Sequence, residues 1–123
     1  MKLDKLENII SDSFEIKEKV GPKSDKKLIK AINETIDLVD SGKIRVANKV
    51  NGSWVVNQWI KKAILLSFRV NKMTMSKGPY TTWYDKVPGK TVKWKEKDWK
   101  KASYRHVPNG VVRRGSYLSL IHI

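Results

Sequence analysis

Apolar residues recur at helical spacing through the first forty positions. Leu3, Leu6, Ile9, Ile10, Phe14 and Ile16 share one face, which predicts an amphipathic helix over 2–19. Gly21-Pro22 breaks that pattern. Ser24 reads as the N-cap of a second helix, with Asp25 favourable in its first turn. Leu28, Ile29, Ile32, Ile36 and Val39 form the buried stripe of this helix, and Gly42 suits the left-handed position beyond its end. Two β-rich runs follow, 44–50 and 54–56, with Asn51-Gly52 between them. That dipeptide suits a type I′ hairpin turn, because both central residues need φ > 0 and Asn and Gly adopt it most cheaply. Asn57 then stands where it can cap a third helix ending near Asn71. The apolar face of this helix is Trp59, Ile60, Ala63, Ile64, Leu66 and Phe68.

Beyond Asn71 the pattern weakens. Lys77-Gly78-Pro79 marks a turn, 80–87 reads as a short strand, and Pro88-Gly89 ends it. A short helix is expected over 95–101, with Trp94 and Trp99 as apolar anchors. Pro108-Asn109-Gly110 is a further break, after which 111–117 begins something extended. The fold class is α+β, mainly helical: three principal helices with a hairpin make the core, and a short helix follows.

Composition narrows the chemistry. The 123 residues make one domain, or one domain and the start of another. No cysteine is present, which removes disulfides, thiolate catalysis and Cys-ligated zinc. His106 and His122 lack any metal-binding context, and no metal site is expected. The apolar runs are far shorter than the roughly 20 residues of a membrane span, and the N-terminus lacks a signal-peptide core. A soluble, cytoplasmic chain is the expectation.

The formal charge of +14 is unevenly spread. Residues 1–40 hold eight Lys against nine Asp and Glu; the other eighteen basic residues, with three acidic ones, lie in 41–123. Nucleic-acid binding is one reading of such a half. Only five of the 26 basic residues are Arg, however, and Arg is the residue with the bidentate fork used to read bases. Surface lysine is therefore the plainer reading. The alternation of Lys with Trp94 and Trp99 keeps a small basic nucleic-acid module as the alternative, through base stacking. The competing reading buries both tryptophans against the body, with their lysines left in water.

No catalytic set is visible. The carboxylates of the first two helices lie on polar faces, Asp85 and Asp98 lack an evident partner, and no serine has a histidine base nearby. Arg105 stands out, because Pro108 disfavours helix just before it and an arginine in an extended stretch can grip a carboxylate with two parallel bonds, although from the residues alone a plain surface arginine is the stronger reading.

Several stretches together resemble a known family. These are Arg45-Val46-Ala47, Trp54-Val55, Gln58-Trp59-Ile60-Lys61-Lys62-Ala63 and Leu65-Leu66-Ser67-Phe68-Arg69. Tyr84-Asp85-Lys86-Val87-Pro88, Tyr104-Arg105-His106-Val107-Pro108 and Val112-Arg113-Arg114-Gly115-Ser116-Tyr117 follow in order. The pattern resembles the N-terminal part of tetrahydrodipicolinate N-succinyltransferases, over residues 3–118. The resemblance implies an acyltransferase of lysine and diaminopimelate biosynthesis that uses succinyl-CoA as co-substrate, with no tightly bound cofactor. It implies a homotrimer built on a left-handed parallel β-helix of hexapeptide repeats. Arg105 would contact a carboxylate of the dicarboxylic substrate. The CoA groove and the catalytic acid would lie in the β-helix, so no catalytic residue is expected in this chain.

The resemblance divides the chain into a helical domain over 1–107 and the first β-helix strand over 108–118. Residues 119–123 depart from the pattern and read as a truncated or non-native tail. Alone, the chain is expected to be inactive.

Overall fold

A computed structural model describes residues 1–119. His122 and most of the expected tail lie outside the described residues. Three helices, α1 (Leu3–Glu15), α2 (Lys26–Asp40) and α3 (Gln58–Val70), pack mutually. Their shared core is Leu6 and Ile10 from α1, Leu28, Ala31 and Ile32 from α2, and Ala63, Leu66 and Val70 from α3. Val20 closes it from the loop between α1 and α2. Thr35 is fully buried on α2; its hydroxyl donates to the Ala31 carbonyl at 2.8 Å, so no polar atom is left unpaired there.

The helix ends show local chemistry at work. Asp25, not Ser24, caps α2 by accepting the Lys27 amide at 3.2 Å. Ser24 is held one step earlier, its hydroxyl accepting the Gly21 amide at 2.9 Å in the preceding turn. At the other end Gly42 has φ +73°. The Gly42 amide donates to Val39 and the Lys43 amide to Leu38, each at 3.0 Å, which satisfies carbonyls the helix itself leaves open. α1 stops at Glu15, and a short 3₁₀ turn, Lys17–Lys19, completes the run expected as one helix.

The hairpin β1 (Ala47–Val50) and β2 (Ser53–Val56) is antiparallel, with Val50 opposite Ser53. Asn51 (φ 49°) and Gly52 (φ 82°) both take the positive values a type I′ turn demands. Asn57 occupies the N-cap position of α3 without capping it. Its side-chain amide instead donates to the Arg45 carbonyl at 2.7 Å and to Asn48 Oδ1 at 2.9 Å, fastening the hairpin to the helix. Phe68 is 36% exposed, so the buried face of α3 is narrower than its apolar pattern.

A second hairpin follows, β3 (Thr74–Lys77) with β4 (Thr82–Asp85), where one strand over 80–87 was expected. The missing partner carries Thr-Met-Ser-Lys, weak in strand signal, and the loop lacks an Asn-Gly pair. What closes it is the Gly78 amide donating to Thr81 O at 2.9 Å, with the Trp83 ring lying over Gly78. The short helix α4 (Glu96–Ala102) starts with Asp98 Oδ2 accepting the Lys95 amide at 2.8 Å, and ends at a left-handed Ser103.

Residues 111–117 differ from the extended run expected. Among the described residues they contain one isolated bridge, Gly89 with Arg113, and then a turn at Arg114-Gly115. The physical reason is that Arg114 and Gly115 turn toward carboxylates on α2. The architecture is therefore α+β and mainly helical, with four α-helices and two small antiparallel hairpins among the described residues.

Candidate functional site

The basic C-terminal half meets the acidic helices along one strap, 112–117. The Lys90 amide donates to Val112 O at 2.8 Å and the Arg114 amide to Pro88 O at 2.9 Å, which sets the strap beside 88–90. Arg113 then grips Asp85 Oδ2 through Nε (3.0 Å) and Nη2 (2.5 Å). Arg114 reaches α2: Nε and Nη2 donate to Asp37 Oδ1 at 3.1 and 2.6 Å, Nη1 to Asn33 Oδ1 at 3.1 Å and Nη2 to Asn33 O at 3.2 Å. Asp40 joins both sides of this junction to α2, accepting the Gly115 amide at Oδ1 (2.7 Å) and the Lys90 ammonium at Oδ2 (2.7 Å). Tyr117 finishes the strap, packed on Gly42 with the Arg45 guanidinium 4.0 Å from its ring centre.

The hydrogen bond from Arg113, joined by the Lys86 amide, holds the Asp85 carboxyl below its ordinary value. Asp37 and Asp85, read from sequence as solvated or unpartnered, are thus anchors. The available signal was the rarity of Arg in a lysine-rich chain, since Arg is favoured where planar bidentate pairing is needed.

Beyond the strap lies a cleft of about 620 Å³ lined by Asp40, Lys90, Trp94, Lys101, Tyr104 and Tyr117. An aromatic cluster forms one wall. Trp94 and Trp99 meet edge to face at 4.8 Å, and Tyr104 lies 6.1 Å from Trp94 and 5.8 Å from Trp99. His106 stacks obliquely on Trp99 at 5.8 Å. Both tryptophans are half-buried and pack edge to face within the cluster, which leaves less of either ring to a stacked base. Burial, and then the negative charge of Asp40, push the Tyr104 phenol above its ordinary pKa.

Arg105 sits between Tyr104 and His106 and is exposed. Of the five arginines, Arg45 covers Tyr117, Arg69 pairs with Glu18 at 3.2 Å, and Arg113 and Arg114 hold the strap. Arg105 alone has no hydrogen bond, ion pair or ring contact among the described residues. Its guanidinium is open to an external anion.

A family model described as tetrahydrodipicolinate N-succinyltransferase N-terminal matches residues 5–70, more than half of the chain. The chain belongs to this family. Among proteins named 2,3,4,5-tetrahydropyridine-2,6-dicarboxylate N-succinyltransferase, that of Pelagibacter ubique is 49% identical over 94% of this chain and 43% of its own length. That of Agrobacterium fabrum is 46% identical over 95% of this chain and 42% of its own. That of Parvibaculum lavamentivorans is 43% identical over 97% of this chain and 43% of its own. The chain therefore spans less than half the length of these curated relatives. The matched region 5–70 takes in most of α1 and all of α2, the first hairpin and α3; Arg105 and the strap lie outside it but within the aligned relatives. No helix among the described residues is long and apolar enough to cross a membrane.

Proposed function

We propose that this chain is the N-terminal part of an N-succinyltransferase acting on tetrahydrodipicolinate, with Arg105 as a contact to a substrate carboxylate. In the reaction the amine of the ring-opened substrate attacks the succinyl thioester carbonyl. The C–N bond forms, the C–S bond breaks, CoA leaves as its thiol and the nitrogen gives up a proton. A fixed carboxylate contact would hold the amine in line for that attack. The observation that carries this reading is the one arginine that has no internal partner among the described residues, in a chain whose relatives bear the name of a dicarboxylate-acting enzyme. The guanidinium fork matches a carboxylate, where a lysine would supply only a point charge.

The finer parts of the reading rest on the resemblance. They are a cytoplasmic homotrimer, succinyl-CoA as co-substrate, a helical domain over 1–107, and a left-handed β-helix that 108–118 leads into. The CoA contacts and the catalytic acid would belong to that β-helix.

The test is a graft. Residues 1–118 are joined to the complementary C-terminal portion of the Pelagibacter relative, and CoA thiol release from succinyl-CoA is followed. Turnover that depends on the cyclic dicarboxylate is expected. A folded graft without it overturns the reading, as does substrate-dependent turnover by the 123-residue chain alone.

A further inference from the structure

Arg105 is held out by its neighbours. Tyr104 is half-buried, Arg105 exposed, His106 half-buried and Val107 exposed, the alternation of an extended backbone. Both inward rings meet Trp99 at 5.8 Å, one from each side of Arg105 in sequence. Tyr104 also meets Trp94, which in turn packs edge to face on Trp99. The 107–110 turn closes on His106 from the far side, where the Gly110 amide donates to Val107 O at 3.0 Å. A Cβ on Gly110 would stand 2.8 Å from His106 Cδ2, so the imidazole lies directly against the glycine. Tyr104 Oη and His106 Nε2 are both buried with no hydrogen-bond partner among the described residues. The rings therefore sit where they do through packing, not through their polar atoms.

From this geometry we infer that Tyr104 and His106 are positioning residues, and that their shared contact with the Trp99 ring fixes the backbone that presents Arg105 to a dicarboxylate. The inference rests on the reading of Arg105 as a carboxylate contact. An arginine on a mobile loop loses side-chain and backbone freedom when it grips an anion. Here the backbone share of that cost is met in folding, by ring contacts on both flanking residues. The role predicted for the rings is in affinity for the carboxylate, with no contact to it.

The test uses the whole chain, labelled with nitrogen-15, and pimelate as a stable seven-carbon dicarboxylate probe, with hexanoate as the single-carboxylate control. Pimelate is expected to shift the Arg105 side-chain Nε resonance at millimolar concentration, more than hexanoate does. Tyr104→Phe keeps the ring and should bind like the unmodified chain. Tyr104→Leu removes it and should weaken pimelate binding about three- to tenfold, the range one aromatic pair supports. Unchanged affinity in a folded Tyr104→Leu chain overturns the positioning role, as does a loss in Tyr104→Phe equal to that in Tyr104→Leu. Unchanged affinity in Arg105→Ala overturns instead the underlying reading of Arg105. A measurement without any variant covers failure to fold. The Arg105 backbone amide of the unmodified chain should have a heteronuclear Overhauser effect as high as the amides of α2, and a low value overturns the clamp.

Discussion

Arg114 Nη2 lies 2.6 Å from Asp37 Oδ1, across 77 residues of sequence, and the same guanidinium donates to both oxygens that Asn33 offers. One side chain thereby joins the strap to the middle of α2. Its own surface is 26% exposed while that of Asp37 is 66% exposed, so the half-buried Asn33 contacts carry more of its effect than the ion pair in water.

Arg114→Ala should cost about 1–2 kcal/mol, in the range for hydrogen bonds to a charged group at a partly exposed site. Arg114→Lys keeps the charge, loses the fork and should recover only part of this. Urea denaturation of the three proteins measures both. Trypsin gives a local readout at Arg113. Cleavage there should be slow in the unmodified chain and faster in Asp37→Asn, which loosens the strap and leaves Arg113 in place.

Asp85 predicts how the strap responds to acid. Its folded pKa is depressed, chiefly by the Arg113 hydrogen bond. The stabilisation is present above the unfolded value of about 3.9 and is lost as pH falls through the lower folded value. Carbon-13 titration of the Asp85 carboxyl should show a midpoint below the ordinary one. Arg113→Gln should raise the midpoint toward the ordinary range, with the Lys86 amide still holding it down in part, and a midpoint unmoved by that change would separate Asp85 from Arg113.

Gly42 is constrained twice, by φ +73° and by the Tyr117 ring, whose Cε2 would stand 2.6 Å from an added Cβ. Gly42→Ala should cost about 1–2 kcal/mol from the left-handed backbone alone, plus the displacement of Tyr117 and its contact with Arg45. In a Tyr117→Ala background only the backbone part should remain. A double-mutant cycle by denaturant melts separates the two, and strict additivity would rule out the steric coupling.

In the graft with a relative's C-terminal portion, Arg105→Ala should raise KM for the cyclic dicarboxylate about tenfold or more, as expected for loss of a charge-assisted pair. The KM for succinyl-CoA should stay the same. An unchanged dicarboxylate KM would remove Arg105 from the site.

The sequence alone determined the features that depend on neighbours along the chain. The 3.6-residue spacing of Leu6 and Ile10, and of Leu28 and Ile32, fixed which helix faces are buried. Gly42 and Asn51-Gly52 announced two backbone reversals, because few other residues accept positive φ. Ser24 and Asp25 both suit a cap, and choosing between them needed the hydrogen bond itself.

Tertiary structure alone decided what distant residues do for one another. Nothing local marks Asp37, Asp40 and Asp85 as anchors; Arg105 stands out in the sequence by the extended stretch before Pro108, yet nothing local shows that Arg113 and Arg114 find carboxylate partners. The difference among the three arginines lies in the carboxylates that folding places within 3 Å of Arg113 and Arg114 and, among the described residues, not of Arg105. The β3 strand was hidden for a related reason, since its own residues carry little strand signal and its partner β4 lies across the turn at Gly78. Periodicity reports which face is buried against the rest of the molecule, and only the folded chain reports which charge stands opposite which.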